Sequence, residues 1–237
     1  MEKSPFVGGT TALSGGMVWM PANRRMMEAG LTDTAVDAKA YLDAVIGHTS
    51  EMQEVFLENA SRCVDYLQRN TAVQLRPVVN YPDYYPNLAG ATLGGRVLEP
   101  EPFDGRKLHK DLEIVRPPLP EFTLFGGMMV DRAHIPHFRK VFRSIRSTLC
   151  VGRLLLRYAG ERLSHRRGTS LVLGNALVAR LLYSARAADV DFMLSTTVTE
   201  LHFENGAVAG ASIAVGGKVS RLYASRGVVL RHRRLWT

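Results

Sequence analysis

Cysteine is scarce in this chain of 237 residues: Cys63 and Cys150 lie far apart, and neither has a second cysteine or a histidine at metal-ligand spacing. That excludes a disulfide framework and leaves two reduced, buried thiols as the expectation. Long apolar runs are missing as well. No stretch approaches the roughly 18 uninterrupted apolar residues of a membrane span, and the N-terminus lacks the apolar core of a secretion signal. The chain therefore reads as cytoplasmic, without a transmembrane segment. Acids are in deficit, 22 against 30 Lys and Arg, for a formal charge of +8. Such a balance raises nucleic acid or an anionic membrane surface as partners. Three of the positive charges, Arg231, Arg233 and Arg234, sit in the last seven residues, so the body is only modestly basic. No nucleic-acid module or aromatic interleaving accompanies them, which argues against nucleic-acid binding. His134 and His137 stand three apart, but Pro136 intervenes and no third ligand is near, so no metal site is expected. Repeats and low-complexity tracts are absent too.

What is present is a globular pattern. Met1 to Pro21 is rich in Gly, Ser and Thr and reads as loop, with small residues that leave main-chain N–H groups uncovered for a ligand. Asp33 or Thr34 is placed to cap a helix from Ala35 to Ile46 that ends at Gly47, and Ser50 precedes a longer helix from Glu51 to about Arg69. Val73 to Val79 suits a strand. Seven prolines between Asn80 and Pro120 deny that stretch long helices. From His137 to Tyr158 the pattern is helical, with Phe138, Phe142, Ile145, Leu149 and Leu156 on one stripe and Arg139, Arg143, Arg146, Arg153 and Arg157 on another. The apolar stripe is expected to pack on the core, leaving the arginines solvated; contact of the arginines with an acidic membrane surface is the alternative. A loop from Gly168 to Gly174 leads into a helix from Asn175 to Ala188. Thr196 to Glu204, Ala207 to Val215 and Lys218 to Ala224 alternate as strands joined by Asn205-Gly206 and Gly216-Gly217, both tight-turn signals. They predict a three-stranded antiparallel meander, followed by a return strand from Gly227 to Leu230.

The run from Glu2 through Ser14-Gly15-Gly16, with Gly8-Gly9-Thr10-Thr11-Ala12 at its centre, resembles the segment after the second strand of FAD-dependent dehydrogenases of the fumarate reductase flavoprotein type. Val18-Trp19-Met20-Pro21, Met27-Glu28-Ala29-Gly30, Tyr41-Leu42 and Tyr81-Pro82-Asp83-Tyr84-Tyr85 resemble its 3-ketosteroid dehydrogenase branch. Gly174-Asn175-Ala176-Leu177 and Thr197-Val198-Thr199 match further along in the same order. The resemblance implies FAD as cofactor. It implies Glu2 as ligand of the adenosine ribose, and Lys3, Gly9, Thr10, Thr11, Ala12, Ser14, Gly15 and Gly16 as the loop along pyrophosphate and flavin. It also implies Val198 as the adenine contact and Tyr84 as a catalytic residue at the substrate site. A carboxylate that accepts hydroxyl protons and small residues with free N–H groups suit those roles physically. The implied reaction is a desaturation beside a carbonyl, or its reverse, on a small apolar ketone or steroid, with hydride passing to flavin.

The implied fold is α/β: an incomplete Rossmann-like FAD-binding domain. Residues 1–47 hold the cofactor loop and first helix, 48–167 a helical and irregular insertion, and 168–230 the helix, meander and return strand. The family's G-x-G-x-x-G turn precedes the acid represented here by Glu2, and the family continues past Leu230 with a glycine-rich segment and a substrate-capping domain. Residues 231–237, Arg-His-Arg-Arg-Leu-Trp-Thr, are what codons for Ala-Thr-Gly-Gly-Phe-Gly yield when read one base out of register, so an out-of-frame tail is expected. On this reading the chain is an internal piece of a flavoprotein, holding FAD weakly or not at all by itself, with an inactive remnant as the alternative to an enzyme.

Overall fold

Asn23, Thr34 and Ser50 open the first three helices, each by offering side-chain groups to main-chain donors or acceptors that the helix leaves unmatched. In the computed structural model, which describes residues 1–48 and 50–230, α1 is Arg24–Glu28, α2 Ala35–Ile46 and α3 Glu51–Asn70. Asn23 Oδ1 accepts the Met26 N–H at 3.0 Å and Thr34 Oγ1 that of Asp37 at 3.0 Å. The Gln53 side chain reaches back to both the N–H and the hydroxyl of Ser50. Of the two residues eligible to cap α2, Thr34 does so; Asp33 is taken by a buried arginine and by the Ala22 N–H.

The chain divides into two units. The larger, Gly8–Asp189, is built around short antiparallel strands. β1 (Val18–Trp19), β2 (Leu75–Pro77) and β3 (Val97–Pro100) form one sheet in the order β1-β3-β2, with Val18 opposite Leu98 and Pro77 opposite Leu98 on its other side. Val64 of α3 packs with Val73, Leu75 and Leu98 in its core, against Met20, Leu67 and Leu177. The strand expected from Val73 to Val79 is thus pared to three residues. β4 (Phe103–Asp104) pairs with β7 (Ser170–Leu171), and β5 (Thr123–Leu124) with β6 (Met128–Met129). The proline-rich stretch otherwise holds 3-10 turns at Gly105–Ile114 and Pro120–Phe122. α6 (Leu173–Ala187) runs through this unit and buries Arg180, whose guanidinium donates to the carbonyls of Ala72, Glu101 and Pro102.

The predicted helix from His137 to Tyr158 is two helices, α4 (Ile135–Arg139) and α5 (Ile145–Ser164). Ser144 caps α5 through the Ser147 N–H, and Phe142 between the helices has φ of 68°. A serine oxygen that satisfies the first turn of a new helix competes with continuation of the old one. The side that α5 buries is Ser147, Val151 and Leu154. The apolar stripe expected in the core is at the surface: Phe142, Ile145, Leu149 and Leu156 are all exposed. The two thiols are not buried either, Cys63 being exposed and Cys150 intermediate. No helix among the described residues is long and apolar enough to cross a membrane.

The smaller unit joins Met1–Val7 to the chain from Val190 on. Backbone bonds Glu2 N–H to Met193 O, Thr196 N–H to Glu2 O and Ser195 N–H to Ser4 O tie its two segments. Here the meander forms as predicted: β8 (Thr197–Glu204), β9 (Ala207–Val215) and β10 (Lys218–Tyr223), in the order β10-β9-β8. Asn205, Gly206, Gly216 and Gly217 all take positive φ, as two-residue turns of this hand require. The return strand does not form. Residues 227–230 are irregular, Val229 is 98% exposed, and no strand among the described residues runs beside them to complete a ladder. Every strand pairing in the six ladders is antiparallel, so the parallel strands of a Rossmann-like sheet are not among them. The tail 231–237 lies outside the described residues.

Candidate cofactor loop and substrate cleft

The glycine-rich run between Gly8 and Gly16 folds as a turn laid directly on α6. Gly8, Gly9 and Gly16 take φ of 108°, 50° and 66°, which side chains with a Cβ rarely adopt. A Cβ on Gly16 would meet the Gly174 Cα at 2.7 Å, and one on Gly8 would meet Val178 at 2.8 Å, so both glycines are needed for the close approach to the helix. Gly9 and Gly15 differ: a Cβ on Gly9 would meet nothing within 4 Å, and one on Gly15 only the Met17 side chain. The first bond inside the turn runs from the Ala12 N–H to Gly8 O at 3.1 Å, so the N–H groups of Gly9, Thr10 and Thr11 precede the helical ladder.

Behind the loop, Asn175 is fully buried. Its amide donates to Ala12 O at 2.7 Å, and its Oδ1 accepts from Arg167 at 2.7 Å. Arg167 also donates to Val115 O. Burial lowers the Arg167 pKa to about 10, against a partial opposing pull from Glu113. Ala12, with its side chain buried and both main-chain groups engaged, is a packing residue of the loop. The Ser14 hydroxyl is likewise occupied, donating to Thr11 O and accepting from the Gly16 N–H. Thr10 and Ser14 are the exposed residues of the loop, and Gly9, Thr11 and Gly15 are half-buried.

Glu2, Lys3 and Val198 belong to the smaller unit. Glu2 sits where the two segments are tied, and its Oε1 accepts the Ser4 N–H at 2.8 Å, which fixes the carboxylate while leaving lone pairs for other donors. Lys3 is exposed. Val198 pairs with Ile213 beside a bulge in β8, an edge strand whose outer row of main-chain groups is unmatched within the sheet. Each of these features, taken by itself, is of a donor or acceptor type that a dinucleotide uses.

Tyr84 lies on the rim of an apolar cleft of about 340 Å³ whose lining includes Met17, Trp19, Tyr41, Val45, Tyr81 and Val97. Its own side chain is 87% exposed, but the residues on both sides of it are pinned. Tyr85 donates its N–H to the Tyr41 hydroxyl at 3.2 Å. Asp83 accepts from Trp19 Nε1 at 2.8 Å, from the Thr92 N–H at 2.9 Å and from Arg96 at 2.8 Å. Arg96 is buried between Asp83 and Asp33, with its guanidinium over the rings of Trp19 and Tyr41 at 5.7 and 5.6 Å. Burial opposes the Arg96 charge, yet bonds to Asp33 and attraction from both carboxylates outweigh it and hold its pKa above the ordinary arginine value. The sequence reading missed Arg96 and Asp33 as supports of this site. An isolated arginine in a Gly-Gly-Arg run carries no periodic signal of burial, and Asp33 has the look of a helix cap.

Comparison with known proteins shows the family of the chain. The family model of the FAD binding domain matches residues 1–234. A 3-oxosteroid 1-dehydrogenase of Mycolicibacterium smegmatis is 34% identical over 214 residues, 89% of this chain and 37% of the relative. A 4-oxocyclohex-2-ene-1-carboxylate 5-dehydrogenase of Sinomonas cyclohexanicum is 34% identical over 97% of this chain and 39% of its own length. The crystal structure of a 3-ketosteroid delta1-dehydrogenase from Sterolibacterium denitrificans, in complex with 1,4-androstadiene-3,17-dione, superposes with a TM-score of 0.82 at 32% identity, covering 95% of this chain and 41% of that one. The chain thus spans about two-fifths of the length of the relatives it matches.

Proposed function

The chain belongs to the FAD binding domain family, and on that premise we propose that it is the flavin-holding portion of an oxidoreductase that desaturates a 3-ketosteroid or similar cyclic ketone beside its carbonyl. The observation that carries this reading is the apolar cleft with a phenol at its rim and a buried Asp33–Arg96–Asp83 group behind it. Apolar walls favour a fused-ring or alicyclic substrate through burial, and leave orientation to the few polar groups at the edge. The Tyr84 hydroxyl hydrogen-bonds the substrate or relays the proton lost beside the carbonyl. Pinning at Asp83 and Tyr85 holds the backbone of Tyr84, which limits how far the phenol can stray from the reacting carbon. Bound FAD supplies the hydride acceptor. Gly9, Thr10, Thr11 and Gly15, with Lys3, line its phosphates and flavin, Glu2 accepts from its ribose, and the edge of β8 at Val198 meets its adenine. Ala12, Ser14 and Gly16 shape the loop. The free thiols accord with a cytoplasmic setting.

The alternative reading is a non-catalytic remnant of such a flavoprotein. One experiment separates them. The purified chain is mixed with excess FAD, desalted and scanned, then titrated with 1,4-androstadiene-3,17-dione while tryptophan emission is followed. A retained flavin band and saturable quenching that disappears in Trp19→Phe support the enzyme reading. Tyr84→Phe then weakens ketone binding about fivefold, the equivalent of one hydrogen bond, with flavin retention unchanged. A colourless protein that shows no quenching leaves the remnant.

A further inference from the structure

We propose that the outward face of α5 is a peripheral docking surface for anionic lipid, on which the helix lies flat. At 3.6 residues per turn, Ile145, Leu149, Leu156 and Leu163 fall within an arc of about 40°, and Ser147, Val151 and Leu154 lie on the opposite side. That opposite side is the one the fold buries. The outward stripe is bare: Leu149 is 69%, Leu156 77% and Leu163 91% exposed. From Ile145 to Leu163 it runs about 27 Å at 1.5 Å per residue. Two further exposed aromatics flank it. Phe142 precedes the helix, its N–H bonded to Thr148 Oγ1, and Phe125 tips the β5–β6 hairpin, where its carbonyl accepts from the Tyr158 hydroxyl of α5 at 3.0 Å.

Charge decides the occupant. Between Arg132 and Arg167 the sequence holds ten Arg or Lys residues and one acid, Glu161. Glu161 is engaged within the fold, accepting from the Thr169 N–H and pairing with Arg157, so it does not offset the outer face. Arg146 and Arg153 are exposed along one flank of the stripe and Arg162 along the other. An apolar stripe bordered by guanidinium groups, on a helix too polar to cross a bilayer, matches acyl chains below and phosphate headgroups beside them. A protein partner of ordinary composition would meet this density of positive charge only by presenting a matching density of acids.

The test is flotation of the purified chain with vesicles of phosphatidylcholine alone or with about 30% phosphatidylglycerol, at about 0.1 M and 0.5 M salt. The proposal expects flotation with the anionic vesicles only, weakened by salt. Leu149→Asp with Leu156→Asp should reduce it at least tenfold, and Arg146→Glu with Arg153→Glu should abolish the preference for anionic lipid. Circular dichroism checks that these surface variants fold. Independently of them, the emission of Leu156→Trp should be quenched by lipids brominated on their acyl chains, whereas that of Met52→Trp, equally exposed on α3, should not. Absence of flotation overturns the proposal, as does equal flotation of the aspartate variants or quenching at both tryptophans. A dimer in sedimentation that the aspartate variants disperse, without vesicle binding, assigns the face to a second copy and overturns it too.

Discussion

Gly174, at the start of α6, lies so close under Thr11 that a Cβ built on it would overlap the Thr11 carbonyl oxygen and crowd that of Ser14. The glycine-rich loop and the helix beneath it are therefore in backbone contact, and the outward side of the loop is set by what happens at its back.

Gly174→Ala should consequently displace the loop. FAD binding is expected to weaken at least tenfold, read by flavin fluorescence titration, with a stability loss of about 1–3 kcal/mol from overpacking. Gly9→Ala is the complementary case, because space is open there and only the left-handed backbone opposes the change. It should cost about 1 kcal/mol and weaken FAD only by intruding on the ligand side.

Asn175→Ala removes the donor to Ala12 O and the acceptor of Arg167 at once. Two buried polar groups then lose partners, and urea unfolding should show a loss of about 2–4 kcal/mol. A loss below about 0.5 kcal/mol would mean that water replaces the amide.

Arg96→Met leaves Asp33 and Asp83 buried without their cation. Stability should fall by about 3–5 kcal/mol, and ketone binding should fall with it because Asp83 anchors the Tyr84 loop. Arg96→Lys should recover less than half, since one ammonium cannot reproduce the fork that serves both carboxylates.

Asp104 titrates below the ordinary aspartate range, chiefly through its hydrogen bonds to the Arg106 side chain. A folded pKa below the unfolded one means that the unfolded state binds protons first on acidification. The stabilisation is thus complete above about pH 5 and disappears as pH falls through the folded pKa. Asp104→Asn should lower the urea midpoint at pH 7 and leave it nearly unchanged near pH 2; an equal difference at both pH values would rule out this linkage.

Local chemistry made much of the architecture legible. Thr34 and Ser50 announce α2 and α3, the Asn205-Gly206 and Gly216-Gly217 pairs define the meander, and the glycine run between Gly8 and Gly16 marks a turn, because caps and positive-φ turns act over a few residues. Tertiary structure alone decided the rest. Whether the apolar stripe of α5 is covered depends on what packs beside it, and the helix turned Val151 and Leu154 inward while exposing Leu149 and Leu156. A return strand at 227–230 needed a neighbour to pair with, which no β-propensity supplies. Arg96 and Asp33 met across 63 positions of sequence. Burial of an ion pair, partnering of a helix face and pairing of a strand are properties of two segments at once, so residues read in order identify the candidates while only the folded chain selects among them.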